Sequence, residues 1–226
     1  MAEILLALDV ETPERAVALV DRLPDLRWVK VGPVLFVKDG PRLVRWLVER
    51  GLRVFLDLKW HDIPNTVARA VEGAAQLGVH LASVHALGGR EMLEAAVAAR
   101  GSMRLAAVSV LTSHSPRSYG LALGRDGEPD IGREVLRLSE TALATGVDAV
   151  VASASEAAVL RARIPADRWI VVPGIRLPGA EPDDQRRTAE PREAVAAGAT
   201  HLVVGRPVLR AENPRQVYDR LCEAVR

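Results

Sequence analysis

The sequence contains little cysteine, few aromatic residues and no long apolar run. Cys222 is the single cysteine among 226 residues, which excludes an intramolecular disulfide and a cysteine-based zinc cluster. No run of about 18 apolar residues occurs, which excludes a transmembrane helix. With 30 Lys and Arg against 29 Asp and Glu, the formal charge is +1, and without a basic or aromatic stripe we expect no binding to nucleic acid or membranes. The N-terminal residues lack the basic region of a signal peptide, which predicts a cytoplasmic protein.

Lysine is also scarce. Of the 30 basic residues only three are lysines, at positions 30, 38 and 59, and the other 27 are arginines. Arginine stays protonated near neutral pH, whereas a lysine ammonium can be tuned into an acid or a base. Lys38 stands in a loop-like Lys-Asp-Gly-Pro segment and is expected at the surface. Lys30 and Lys59 are therefore the candidates for acid–base chemistry.

Short apolar runs alternate with amphipathic segments along the whole chain, a pattern typical of β/α units. Eight strands are predicted at Ile4–Leu8, Trp28–Val31, Arg53–Leu58, Leu81–Val84, Arg104–Val110, Ala149–Ala152, Trp169–Val172 and His201–Val204. Helices are predicted at Thr12–Leu23, Pro41–Arg50, Asn65–Leu77, Glu91–Arg100, Ile131–Thr145, Ser155–Arg163, Arg192–Ala197 and Pro214–Val225.

Eight β/α units without a visible domain boundary predict that residues 1–226 form one (β/α)₈ TIM barrel domain. A doubly wound open sheet is the alternative, but no G-x-G-x-x-G motif follows the first strand. Two long connections, residues 111–130 and 175–191, would lie on the catalytic face of the barrel.

Charged residues stand at the predicted ends of the first three strands. Because side chains alternate along a strand, Asp57 and Lys59 share one face and the neighbouring leucines take the other, against the helices. The same parity turns Asp9 and Lys30 into the barrel mouth, and Asp62 adds a carboxylate in the following loop. An isolated buried charge is costly, and strand ends carry the chemistry in this fold, so we interpret these groups as functional; an ion-pair network with a purely structural role at the barrel mouth is the alternative. Alternating lysines and aspartates favour a positioned proton donor.

A phosphate site is predicted near the C-terminal part of the chain. Pro173-Gly-Ile-Arg176 follows the seventh strand and Gly205-Arg206 follows the eighth, where barrels of this fold commonly bind phosphate. Glycine lets backbone N–H groups approach phosphate oxygens, and arginine supplies charge-assisted hydrogen bonds. Ordinary turns with surface arginines remain the alternative.

The segment Asp57-Leu-Lys-Trp-His-Asp-Ile-Pro-Asn-Thr66 resembles the signature Asp-x-Lys-x-x-Asp-Ile-Pro-x-Thr of the orotidine 5′-phosphate decarboxylase family. The resemblance covers the whole chain, with supporting segments in the family order at Leu-Ala-Leu-Asp9, Val-Lys30-Val-Gly, Leu-Thr112-Ser, Pro-Gly-Ile-Arg176, Asp-Asp-Gln185 and Val-Val-Gly205-Arg206-Pro. It implies a homodimeric (β/α)₈ barrel that converts orotidine 5′-monophosphate to UMP and CO₂ in de novo pyrimidine biosynthesis. It also implies that no metal or organic cofactor takes part.

The resemblance assigns the catalytic residues. Lys59 would donate a proton to C6 of the pyrimidine, within a charged array that includes Lys30, Asp57 and Asp62. Asp57 would lie nearest to the substrate carboxylate, acting by electrostatic stress or by positioning. Asp62 would reach across the dimer interface into the site of the neighbouring subunit.

The resemblance also assigns nucleotide-binding residues. Contacts to the ribose hydroxyls are implied for Asp9, Lys30 and Thr66 of the partner subunit, and a contact to the pyrimidine ring for Thr112. Phosphate binding is implied for Gln185, Gly205 and Arg206, with Arg176 beside them. Residues 177–190 would form a loop that closes over the site.

Some residues are left outside the assigned site. Arg186 and Arg187 depart from the family pattern; a role in attracting phosphate is the alternative, and we expect them to be solvated. Residues 115–130 match the family poorly, and no role is assigned to them. His61 and His85, near the barrel mouth, are expected to be neutral and structural, since the lysines already supply the acid chemistry.

Two other functions fit parts of the pattern. A sugar-phosphate decarboxylase or aldolase of the same barrel superfamily shares the Asp-x-Lys-x-x-Asp core but uses Mg²⁺. The continuation Ile63-Pro-Asn-Thr66 and the presence of Lys30 argue against it. A non-catalytic phosphate-binding barrel would be expected to have lost at least one member of the charged array, and all four are present.

Overall fold

The structure, a computed structural model, describes residues 2–177 and 187–226. Strands β1 to β8 lie, in chain order, at Glu3–Ala7, Trp28–Val31, Arg53–Trp60, Leu81–His85, Arg104–Val108, Ala149–Val151, Trp169–Val172 and His201–Val204. Each strand pairs in parallel with the next, and β8 pairs with β1, so that the sheet closes on itself. The predicted (β/α)₈ TIM barrel is confirmed, and the open-sheet alternative is wrong.

Helices cover the outside of the barrel. Helices α1 to α10 lie at Pro13–Asp21, Pro33–Glu49, Pro64–Gln76, Gly89–Ala99, Pro116–Ala122, Ile131–Leu143, Ala154–Arg163, Pro191–Ala196, Arg206–Leu209 and Pro214–Ala224. Proline stands in the first turn of most of them, where its missing N–H would have no partner within the helix. No helix among the described residues is long and apolar enough to cross a membrane.

Three helical segments differ from the sequence prediction. Helix α2 begins at Pro33 rather than Pro41 and continues across a kink at Asp39, where φ is −161° and ψ is 41°. Lys38 therefore lies in a helix and not in a loop, although it is exposed as expected. Helix α5 forms within the segment that was predicted as a long connection, and α9 follows β8 directly.

Two apolar layers fill the structure. One lies between the strands and the helices, and the other fills the inside of the barrel. The layer inside the barrel includes Leu5 and Ala7 on β1, Trp28 on β2 and Phe55 on β3. Because side chains on the same face of a strand are two positions apart, the charged residues two positions after Ala7, Trp28 and Phe55 also face inward. The alternation thus turns charge into the mouth of a barrel whose interior is otherwise apolar.

The amino ends of the strands are closed by a group of rings. His201 lies between Trp28 and Trp169, with ring centroids 5.5 and 4.1 Å away. Burial, which is the largest cause, and the nearby charges of Arg104 and Arg53 together lower the pKa of His201 to about 4. The imidazole is therefore neutral near pH 7, as a ring in an apolar layer requires.

Candidate active site

A cavity of about 620 Å³ opens at the carboxyl ends of the strands. The residues that follow β1, β5, β7 and β8 contribute to its wall, together with the ends of β2 and β3. Eight of the predicted site residues line it: Asp9, Lys30, Asp57, Lys59, Thr112, Arg176, Gly205 and Arg206. Residues that were predicted to be catalytic and residues that were predicted to bind phosphate therefore meet in one cavity.

Two lysines and two aspartates from the first three β/α units form a chain of ion pairs. Lys30 Nζ lies 2.9 Å from Asp9 Oδ1 and 3.8 Å from Asp57 Oδ2. Lys59 Nζ lies 2.9 Å from the same oxygen of Asp57. The side chains of Lys30 and Asp57 are 10% and 13% exposed, whereas that of Lys59 is 36% exposed. Buried charges are costly unless paired, so the ion pairs hold these four side chains in place, and Lys59 carries the more accessible of the two ammonium groups.

The backbone at Lys59 is strained. Among the described residues, Lys59 is the only non-glycine residue with a positive φ, +52°, a conformation that costs roughly 1 kcal/mol or more. It lies in an irregular part of β3, which advances four residues from Leu56 to Trp60 while β4 advances two. Ser83 of β4 stands opposite: its Oγ accepts from Lys59 N at 2.8 Å and donates to Asp57 Oδ1 at 2.9 Å. Ser83 was not predicted as a site residue, although it stands two positions after an inward-facing leucine of β4 and the alternation along the strand indicates its position.

Two arginines, Arg176 and Arg206, also line the cavity. Arg176 follows a left-handed glycine, Gly174, whose φ is +80°, and donates to the carbonyl oxygen of Ile175 at 3.0 Å. Gly205 closely approaches β1, because a Cβ built there would lie 3.4 Å from Ala7 Cβ. Arg206 begins α9 beside it. The predicted phosphate residue Gln185 lies outside the described residues, as does Arg186.

Asp62 and Thr66 are not brought into the cavity of their own chain. Both are exposed, and Asp62 Oδ1 accepts from the backbone N–H of the next residue at 2.6 Å. Ile63 beside them is 67% exposed, and Val34 and Val37 of α2 are also exposed. The turn after β3 thus presents a carboxylate and a large apolar side chain to the outside.

The comparisons with known proteins agree with this geometry. Residues 2–221 match the family described as Orotidine 5'-phosphate decarboxylase / HUMPS. This chain belongs to that family. The orotidine 5′-phosphate decarboxylase of Alkalilimnicola ehrlichii is 50% identical, covering 97% of this chain and 94% of its own, and that of Halorhodospira halophila is 51% identical, covering 93% and 90%. The crystal structure of orotidine 5′-phosphate decarboxylase from Lactobacillus acidophilus is similar, with a TM-score of 0.86 at 32% identity over 100% of this chain and 99% of that one.

Two histidines stack on each other near Lys59. The rings of His61 and His85 are 5.4 Å apart and nearly parallel, at 20°. Burial, which is the largest cause, and the nearby groups of His61 and Lys59 together lower the pKa of His85 to about 4. His85 Nδ1 accepts from the backbone N–H of Leu87 at 3.3 Å. The prediction of a neutral, hydrogen-bonded histidine is confirmed for His85, while His61 is exposed.

The prediction that Arg187 is solvated is wrong. Its side chain is 17% exposed, and Nη1 lies 2.5 Å from Oε1 of Glu156, which is 9% exposed. Nη2 also donates to the carbonyl oxygens of Val110 and Leu111, at 3.2 and 3.0 Å. These carbonyls immediately precede Thr112, so the Nη2 hydrogen bonds connect the end of the segment after β7 to the cavity wall, and the ion pair connects it to α7. Glu156 was not predicted as part of the site, because no local sequence pattern links this acid to an arginine 31 residues later.

Proposed function

We propose that this chain is an orotidine 5′-phosphate decarboxylase that converts orotidine 5′-monophosphate to UMP and CO₂ in de novo pyrimidine biosynthesis. The observation that carries the proposal is the ion-pair chain of Lys30, Asp57 and Lys59, which lines the same cavity as Arg176 and Arg206. The arginines suit a phosphate dianion, and the array offers an ammonium next to a fixed carboxylate. The names of the relatives at 50 and 51% identity support the same activity.

The nucleotide would lie across the cavity. We infer that Arg176, Arg206 and Gln185 hold the phosphate beside the close approach at Gly205. Asp9 and Lys30 would then contact the ribose hydroxyls, and the remaining side of the cavity would place the pyrimidine beside Lys59, with Thr112 at the ring. Binding energy gained at the phosphate, which does not react, would help to hold C6 against the charged array.

The proposed reaction breaks the bond between C6 and the carboxylate. The electron pair of that bond stays on C6, and CO₂ leaves. In this mechanism no cofactor accepts the pair, so the Lys59 ammonium stabilises the developing charge and then donates its proton to C6. Neutral Lys59 regains a proton from water. Asp57, whose Oδ2 lies 2.9 Å from Lys59 Nζ, would hold the ammonium in place and disfavour a second carboxylate beside it.

We also propose that the protein is a homodimer in which Asp62 and Thr66 complete the site of the other subunit. Both residues are exposed and lie outside the cavity of their own chain. The exposed side chain of Ile63, together with those of Val34 and Val37 on the preceding β/α unit, provides apolar surface that a second copy would bury.

The purified protein should convert orotidine 5′-monophosphate to UMP in excess EDTA, followed by loss of the orotate absorbance and by chromatography of the product. Turnover that survives EDTA would support the decarboxylase function together with a mechanism that needs no metal ion. Turnover that EDTA abolishes would contradict the mechanism only. A folded protein that leaves this substrate unchanged, but acts on sugar phosphates after addition of Mg²⁺, would contradict the proposed function and support the superfamily alternative.

A further inference from the structure

We propose that Ser83 is a positioning residue that fixes both Asp57 and Lys59 through one hydroxyl group. The inference rests on the proposed decarboxylase function, because it concerns the lysine that would donate the proton. Ser83 is fully buried and does not line the cavity, so it would act without touching the substrate.

The Ser83 hydroxyl has one proton to donate, and it forms one hydrogen bond with each of two residues of β3, Asp57 and Lys59. Ser83 Oγ donates to Asp57 Oδ1 at 2.9 Å, so an oxygen lone pair is left to accept from Lys59 N at 2.8 Å. The two bonds bridge residues that are two positions apart at the point where β3 loses its regular register with β4. A side chain thus takes the place of the regular backbone pairing there.

The first consequence concerns the carboxylate of Asp57. Its two oxygens have different partners, since Oδ1 accepts from Ser83 while Oδ2 faces Lys59 and Lys30. The terminal torsion of an aspartate is broad, so the carboxylate can rotate when one oxygen loses its partner. The hydrogen bond from Ser83 therefore fixes the orientation of the Asp57 carboxylate plane relative to the two lysine ammonium groups.

The second consequence concerns the backbone from which the Lys59 side chain starts. The left-handed φ of +52° is unfavourable for lysine and persists only where the surroundings hold it. The bond from Lys59 N to Ser83 Oγ is such a restraint. Without it the backbone can relax, which moves the ammonium relative to the substrate, and a displacement near 1 Å is enough to lower a rate about a hundredfold.

Two variants test this inference against a matched control. Ser83→Ala removes the hydroxyl, and Ser83→Cys fills nearly the same space with a weak donor and acceptor, so a loss shared by both does not come from a cavity. Ser109→Ala is the control, because Ser109 is also fully buried, stands just after β5 and donates to the carbonyl oxygen of Val151 at 2.8 Å instead of to the array. The functional sites in each sample are counted from the stoichiometry of UMP binding by calorimetry.

We expect kcat per UMP-binding site to fall roughly tenfold to a hundredfold in both Ser83 variants, which is about 1.4 to 2.7 kcal/mol at 1.36 kcal/mol per tenfold. KM for orotidine 5′-monophosphate should change much less, and Ser109→Ala should keep the wild-type kcat. Ser83 variants with wild-type kcat, or an equal loss in Ser109→Ala, would overturn the inference while an active wild-type protein keeps the proposed function. A wild-type protein that does not decarboxylate would remove the proposed function, and this inference with it.

Discussion

Replacing Glu156 by glutamine tests the buried ion pair that the sequence did not reveal. Breaking a buried pair on one side leaves the other charge without its partner and costs about 3–5 kcal/mol. Arg187 keeps its bonds to the carbonyl oxygens of Val110 and Leu111, and the amide of glutamine can still accept from the backbone N–H of Ser153. We therefore expect the lower value, about 3 kcal/mol of unfolding free energy, and a Tm roughly 6 to 12 °C lower for a chain of this length.

The loss is measured by urea unfolding, with Glu94→Gln as the control. Arg90 and Glu94 also form an ion pair between an arginine and a glutamate. This pair lies on an exposed face of α4, where such a pair contributes about 0.3–0.5 kcal/mol to the free energy of unfolding. The double variant Glu156→Gln/Arg187→Met should recover part of the loss, because it removes the orphaned charge. A Glu156→Gln protein as stable as Glu94→Gln would refute the reasoning.

Three further predictions concern the interface and the amino end of the barrel. Mixing Lys59→Ala chains with Asp62→Ala chains should restore activity, because one of the two sites of each mixed dimer then contains both Lys59 and Asp62. If verified mixed dimers show no recovery, Asp62 belongs to the site of its own subunit. Ile63→Asp should shift the protein toward monomers in light scattering, while an unchanged mass would contradict the proposed interface. The pKa of His201 is about 4 in the folded protein against about 6.5 in the unfolded chain, so between these values only the unfolded chain binds the proton and stability falls as pH decreases. His201→Phe keeps a ring there and should make this decline from pH 7 to pH 4 shallower; an unchanged slope would show that His201 does not cause it.

The strands and the charged array were predictable because both follow from a local rule. Alternation along a strand needs no knowledge of the neighbours, so Lys30 and Asp57 could be placed inward from the sequence. The start of α2 was less accessible, since Gly40 and Pro41 are typical of a helix break and the helix continues across the kink instead. Helix α5 was missed because its start depends on a reciprocal cap between Ser115 and Ser118 in a segment with several glycines.

The missed parts of the site depend on which segments meet in space. The register between β3 and β4 places Ser83 against both Asp57 and Lys59, and no pattern within either strand states that register. Arg187 and Glu156 are far apart in sequence and are buried by each other. A run of two arginines in a polar connection looks solvated until its partner is known.

The most direct test of the central claim is the rate of orotidine 5′-monophosphate decarboxylation by Lys59→Ala, compared with Lys38→Ala. Both variants remove one of the three lysines, but Lys38 is exposed on α2 and does not line the cavity. We predict that Lys59→Ala stays folded, still binds UMP and loses at least about a thousandfold in kcat, since it lacks both the proton donor and the charge beside C6. Lys38→Ala should keep the wild-type rate. A Lys59→Ala protein with a near-wild-type rate would contradict the assignment of the charged array as the catalytic centre.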